Sequence, residues 1–82
     1  MLTLLYFAWV RERIGLPREK VETGAATVAE LIAELIARDE AYALAFADLT
    51  SLRVAVDQKL TSFDAPLAGA REVAFFPPMT GG

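Results

Sequence analysis

The chain has 82 residues, 55% of them hydrophobic, which is enough for one core and one domain; a domain this small buries only about 60% of the surface its unfolded form exposes. Its net charge of -3 is set by eight scattered bases against eleven acids, so no basic stripe exists to hold a phosphate backbone and a nucleic-acid partner is excluded. With no cysteine and no histidine, disulfides, thiolate or imidazole metal sites, iron–sulfur ligation and every nucleophilic scheme built on those residues are excluded as well.

Residues 2–9, LTLLYFAW, are too few for an independent helix and read as a central strand, with Leu2, Leu4 and Tyr6 on one face and Thr3, Leu5 and Phe7 on the other. No basic stretch precedes this apolar opening, and the charged RER follows where a signal sequence would place a small-residue cleavage site. VRERIGLP reads as a helical turn closed by Gly15 and Pro17, and REKVET as a short second strand ending at Gly24, the two strands making an N-terminal hairpin with a loose connection. In TVAELIAELIARD, Thr27 and Glu30 form a capping box, and Val28, Leu31, Ile32, Leu35 and Ile36 recur at helical spacing. EAYALAFAD is predicted to hold a second, shorter helix, although Tyr42, Leu44 and Phe46 also alternate as a strand would. LRVAVDQ is a strand with Leu52, Val54 and Val56 on one face and Arg53, Ala55 and Asp57 on the other. KLTSFDAPLAGAR reads as a turn-rich connection, and EVAFF as the last strand, Val73 and Phe75 facing away from Ala74 and Phe76.

This order predicts an α+β fold, a mixed sheet with helices covering one face. If the helices cover Leu4, Val54 and Phe75, the opposite face shows Leu5, Phe7, Ala55, Ala74 and Phe76, too apolar a surface to leave to solvent and suited to a protein partner. No apolar run approaches the 18 or more residues of a membrane helix, so no membrane association is expected.

Chemistry-bearing residues are scarce. Glu30 and Glu34, then Asp39 and Glu40, read as solvated helix surface rather than an acid–base pair, and no glycine-rich loop is present to cradle a nucleotide. The closing PPMTGG stands out. Two final glycines arise by chance in roughly 0.5% of chains at a glycine frequency of about 7%. Pro77 and Pro78 stiffen the exit from the last strand, Met79 and Thr80 lengthen it, and Gly81 and Gly82 carry no Cβ that would bar a narrow channel. The group such a tail delivers is the α-carboxylate of Gly82, ionised at neutral pH and a poor electrophile until another protein converts it to a mixed anhydride, commonly by adenylation. The residues thus point to a carrier with an activatable C-terminus.

LYFAWVRE, TVAELIAEL, AVDQKL, SFDAPL and above all EVAFFPPMTGG resemble the small, sulfur-carrying subunits of molybdopterin synthase, a ubiquitin-like family, along the whole chain. The resemblance implies a ubiquitin-like β-grasp fold over residues 1–76 and a C-terminal diglycine tail over 77–82. It implies a protein that is non-catalytic alone and works in the cytoplasm with two partners, an E1-like adenylyltransferase and the large synthase subunit, in a heterotetramer. The adenylyltransferase consumes ATP on Gly82, a sulfur donor makes the thiocarboxylate, and the tail donates sulfur to cyclic pyranopterin monophosphate to build the molybdopterin dithiolene. Gly82 is then the working residue, Gly81 the slim neighbour that lets the tail pass, and Phe7, Leu60 and Phe76, with Pro77, Pro78, Met79 and Thr80, the partner-binding set. No cofactor or metal is expected on the chain itself. The sequence departs from the family where an Asp-Gly-Asp turn commonly precedes the last strand, reading LAGAREV, and at Asp57, where Asn is frequent. A thiamin-pathway sulfur carrier and a ubiquitin-like protein modifier use the same tail chemistry and stand as alternatives.

Overall fold

Alternating apolar residues and one strongly amphipathic helix shape what the computed structural model describes, residues 1–78. The order is β1 (Leu2–Tyr6), α1 (Ala8–Ile14), β2 (Arg18–Val21), α2 (Val28–Arg38), α3 (Glu40–Ala45), a 3-10 turn (Leu49–Ser51), β3 (Arg53–Val56), β4 (Lys59–Thr61) and β5 (Glu72–Phe76). The strands form one mixed sheet in the order β2-β1-β5-β3-β4, parallel only between β1 and β5. Leu2, Leu4, Tyr6, Val54, Val73 and Phe75 point from the sheet into a core closed by Val10 of α1, Val28, Leu31, Ile32 and Leu35 of α2, and Tyr42 and Ala45 of α3. Ile36, the fifth residue of the helical series, remains exposed.

The strand predicted over 2–9 ends at Tyr6. Phe7 is still extended, but Ala8 takes a left-handed φ of 52°, and the Phe7 carbonyl accepts the N–H of Val10 at 3.1 Å to open α1. Trp9 is therefore helical. Gly15, at φ 92°, closes α1 by donating its N–H to the Arg11 carbonyl at 2.8 Å, a left-handed cap that glycine adopts without a Cβ clash.

At the start of α2, Thr27 Oγ1 accepts the Glu30 N–H at 3.2 Å and donates to Glu30 Oε2 at 3.2 Å. The expected cap is present, with the Glu30 carboxylate returning to the Thr27 hydroxyl. Two further unpartnered N–H groups of this first turn, on Val28 and Ala29, donate to the carbonyls of Ala65 and Phe63 in the loop before β5. That loop is not all connection, because Lys59–Thr61 pair with β3 as the edge strand β4. Asp57 and Gln58, at φ 49° and 69°, make the two-residue turn between them, the double positive φ of a type I′ hairpin. In LAGA, Ala70 donates to the Leu67 carbonyl at 3.0 Å with Gly69 at φ 76°, so a type II turn feeds β5, whose Val73 and Phe75 face the core as their alternation predicts.

Candidate functional site

The sheet face turned away from the helices is the candidate site. Ladder partners share a face, so Leu5, Ala74, Ala55 and Leu60 form one row across β1, β5, β3 and β4, with Arg18 of β2 at its end. A second row runs beside it. Phe7 donates its N–H to the Phe75 carbonyl at 3.1 Å, which continues the β1–β5 ladder beside Phe76, and Phe76 pairs with Arg53. The structure thus brings Phe7, Leu60 and Phe76 to one face, on which strand parity places Phe7 and Phe76.

The face is sculpted by side-chain size. Ala55 and Ala74 are only 9% and 8% exposed although no helix covers them and they lie outside the core cluster. Larger residues flank them in the ladder, Leu5 and Phe76 half-buried and Leu60 and Phe7 at 70% and 48% exposure. The result is a shallow trough with an alanine floor and an apolar wall, a shape that accepts a partner's projecting side chain. Leu60 owes its place to β4, which sequence reasoning missed; the signal was the polar pair Asp57-Gln58 closing the alternating RVAV, with more chain beyond it to pair back.

Pro77 and Pro78, both half-buried, leave the sheet from the end of β5, between β1 and β3, next to Phe7 and Phe76. Met79, Thr80, Gly81 and Gly82 lie outside the described residues.

Elsewhere the polar groups serve the fold. Tyr6 and Tyr42 both donate their hydroxyls to Glu19 Oε2, joining β1, β2 and α3. Burial, and then the Glu19 carboxylate, push Tyr42 up to about 12 and Tyr6 higher still. Asp48 is held below the usual carboxylate range by hydrogen bonds from Thr50 and Ser51, as the cap of the 3-10 turn. Among the described residues, no three acids lie close enough together to hold a metal ion. A recess of about 300 Å³, lined by Met1, Leu2, Glu22, Thr23, Ala25, Leu67 and Ala70, is at the opposite end of the sheet from Pro77.

Both the sequence and the fold have known counterparts. The model of the ThiS family matches residues 4–82. The chain belongs to the ThiS family. Within reach of that family, it is 45% identical over 82 residues to the molybdopterin synthase sulfur carrier subunit of Escherichia coli (strain K12), and 37% identical to the protein of the same description from Haemophilus influenzae (strain ATCC 51907 / DSM 11121 / KW20 / Rd). Both alignments cover 100% of each chain. Among solved structures, SAMP1 from Haloferax volcanii superposes with a TM-score of 0.77 at 24% identity, covering 99% of this chain and 98% of that one, a likeness of fold. The ThiS-family architecture here is the ubiquitin-like β-grasp, a mixed sheet with its helices on one face.

Proposed function

We propose that this chain is the sulfur carrier subunit of a molybdopterin synthase. The observation that carries the reading is the 45% identity, end to end, with a protein of that description. The family match by itself leaves the thiamin-pathway carrier open, and the likeness to SAMP1, at 24% identity, concerns fold and gives the modifier reading no support of its own.

The chemistry falls to the tail. A carboxylate oxygen of Gly82 attacks the α-phosphorus of ATP on an E1-like adenylyltransferase, and pyrophosphate leaves. A sulfur nucleophile then attacks the acyl carbon, AMP leaves, and the carboxylate has become a thiocarboxylate. Delivered to the large synthase subunit, that sulfur bonds to a carbon of cyclic pyranopterin monophosphate as an oxygen substituent leaves that carbon. Water restores the carboxylate as the acyl–sulfur bond breaks, and a second charged carrier supplies the other sulfur. The carrier supplies no acid, base or metal; it is held and steered while its partners catalyse. Residues 1–76 form the docking body and 77–82 the delivery segment, in which Pro77, Pro78, Met79 and Thr80 span and Gly81 passes the narrow point. Phe7, Leu60 and Phe76 seat the partner. The cytoplasm, where ATP and reducing conditions coexist, suits this cycle; no helix among the described residues is long and apolar enough to cross a membrane.

Intact-mass measurement tests the reading. After incubation with the adenylyltransferase, ATP and a sulfur source, one oxygen is replaced by one sulfur, and fragmentation places the change on Gly82. An unchanged mass with an adenylyltransferase that charges its own carrier refutes it, and covalent conjugates to lysine that survive reducing denaturation favour the modifier instead.

A further inference from the structure

The charges of this molecule are sorted by side. On the open sheet face, register places Arg18 beside Leu5, Lys20 beside Thr3 and Arg53 beside Phe76, and the one acid within a strand there among the described residues is Glu72 of β5, with Asp57 in the turn beside it. The helical side leans the other way: α1, α2, α3 and Asp39 carry Glu12, Glu30, Glu34, Asp39 and Glu40 against Arg11, Arg13 and Arg38. In a chain of net charge -3, the docking face is therefore its positive pole. Charge at an edge strand discourages edge-to-edge pairing, which would account for Arg18 and Lys20 on β2. It does not account for Arg53, which lies on β3 between β5 and β4 and whose Nη1 is held by the Leu52 carbonyl at 2.9 Å.

We propose that the open face recognises a partner surface that is apolar at its centre and rimmed by carboxylates, and that Arg18, Lys20 and Arg53 steer and orient that partner around the Ala55–Ala74 trough. The inference rests on the docking reading above and names the chemistry of the surface that docks. A second copy of this chain is the wrong occupant, because two such faces would set bases against bases over an otherwise complementary apolar centre. A nucleic acid is disfavoured by the aliphatic trough and the acidic bulk of the molecule. An apolar projection fits the trough, and opposite charges at its margin fix one rotational setting. That setting matters because the tail leaves from one end of the face only.

The test measures association of the full-length chain with the large synthase subunit of the same organism by stopped flow, from about 0.01 to 1 M salt, over which the Debye length falls from about 30 to 3 Å. The expected result is an association rate that falls steeply with salt. Arg18→Glu with Lys20→Glu, and both with Arg53→Glu, should slow low-salt association by about 10- to 100-fold, flatten the salt dependence and change dissociation little. Arg38→Glu on the helical side should slow association less than Arg18→Glu alone, the matched single reversal on the open face. Because Arg53 also contacts backbone, the Arg18/Lys20 pair carries the test if the triple variant fails to fold. An association rate indifferent to salt and to these reversals, with Leu60→Asp still weakening the complex, overturns the charged rim and leaves docking intact. Faster association on reversal overturns it too, since the partner's rim would then be basic. If Leu60→Asp also binds like the unaltered chain, the docking reading itself fails.

Discussion

Asp57 is the residue on which the placement of Leu60 depends. It sits at φ 49° in the turn between β3 and β4, donates its N–H to the Glu72 carbonyl at 2.9 Å, and accepts at Oδ1 the backbone N–H groups of Arg71 at 2.9 Å and Glu72 at 3.0 Å. One side chain thus fastens the hairpin turn to the entry of β5. Hydrogen bonds to an ionised group contribute about 1.5–3 kcal/mol each when sheltered, and these are exposed, so the pair together is worth about 1.5–2 kcal/mol. Alanine at the same φ adds up to about 1 kcal/mol of backbone strain. Asp57→Ala should therefore cost about 2–3 kcal/mol, a large share of the 4–12 kcal/mol expected for 82 residues. At about 4–8 °C per kcal/mol, this lowers Tm by roughly 10–20 °C. Asp57→Gly accepts the left-handed backbone and loses only the bonds, so it should lie near 1.5–2 kcal/mol, while Asp57→Asn keeps an oxygen acceptor and should stay within about 0.5 kcal/mol of the parent. Urea denaturation of the three variants gives the order Asn, then Gly, then Ala. Alanine and asparagine variants of equal stability would refute the argument, since neither the bonds nor the backbone would then matter.

Gln58→Gly, at φ 69°, creates the Asp-Gly pair that a type I′ turn favours and should raise stability by about 1 kcal/mol, read as a higher urea midpoint. The raised tyrosines make stability fall in alkali: their contribution is complete below pH 10, the ordinary tyrosine value, and is lost as pH climbs toward and past about 12, so tyrosinate absorbance should appear together with unfolding. Glu19→Gln should bring that absorbance to lower pH, but only part of the way, because burial is the larger cause. Deleting Gly82 or extending the chain beyond it should abolish charging by the adenylyltransferase and leave the urea midpoint unchanged, checked by intact mass and denaturation. Leu60→Asp, on a side chain 70% exposed, should change stability by under about 0.5 kcal/mol yet weaken binding to the large subunit at least 10-fold by titration calorimetry.

Much of the fold was legible because it is written in local pattern. Thr27, Glu30 and the spacing of Val28, Leu31, Ile32 and Leu35 place α2, and the period-2 parity of LTLLY and EVAFF assigns Leu4 and Phe75 to the core and Leu5 and Phe76 to the open face. The end of β1 was not legible. LTLLYFAWV is apolar throughout, and the break is made by Ala8 in a left-handed conformation, for which alanine gives no warning. β4 was hidden for a related reason: Asp57-Gln58 lacks the glycine that marks a tight hairpin, and a three-residue strand is too short to show alternation. At the site, Phe7 and Phe76 follow from parity, whereas Leu60 needed the family resemblance. The basic rim needed register, because which way Arg18 and Lys20 point depends on their pairing with Leu5 and Thr3.

The position of β5 ties the parts of the site together. A strand bonded to β1 on one side and β3 on the other has a fixed end, so the root of the tail at Pro77 is set relative to Phe7 and Phe76, within one or two strand spacings of about 5 Å. Six residues reach at most about 20 Å. On the proposed function, any protein that seats Phe76 must therefore open its catalytic pocket within that distance of the trough. The adenylyltransferase and the large synthase subunit face the same constraint, so if both seat Phe7 and Phe76 they cannot occupy the face together. Transfer between them then requires release, and a rim of charge that speeds encounter without tightening the bound state suits a carrier that must let go after each visit.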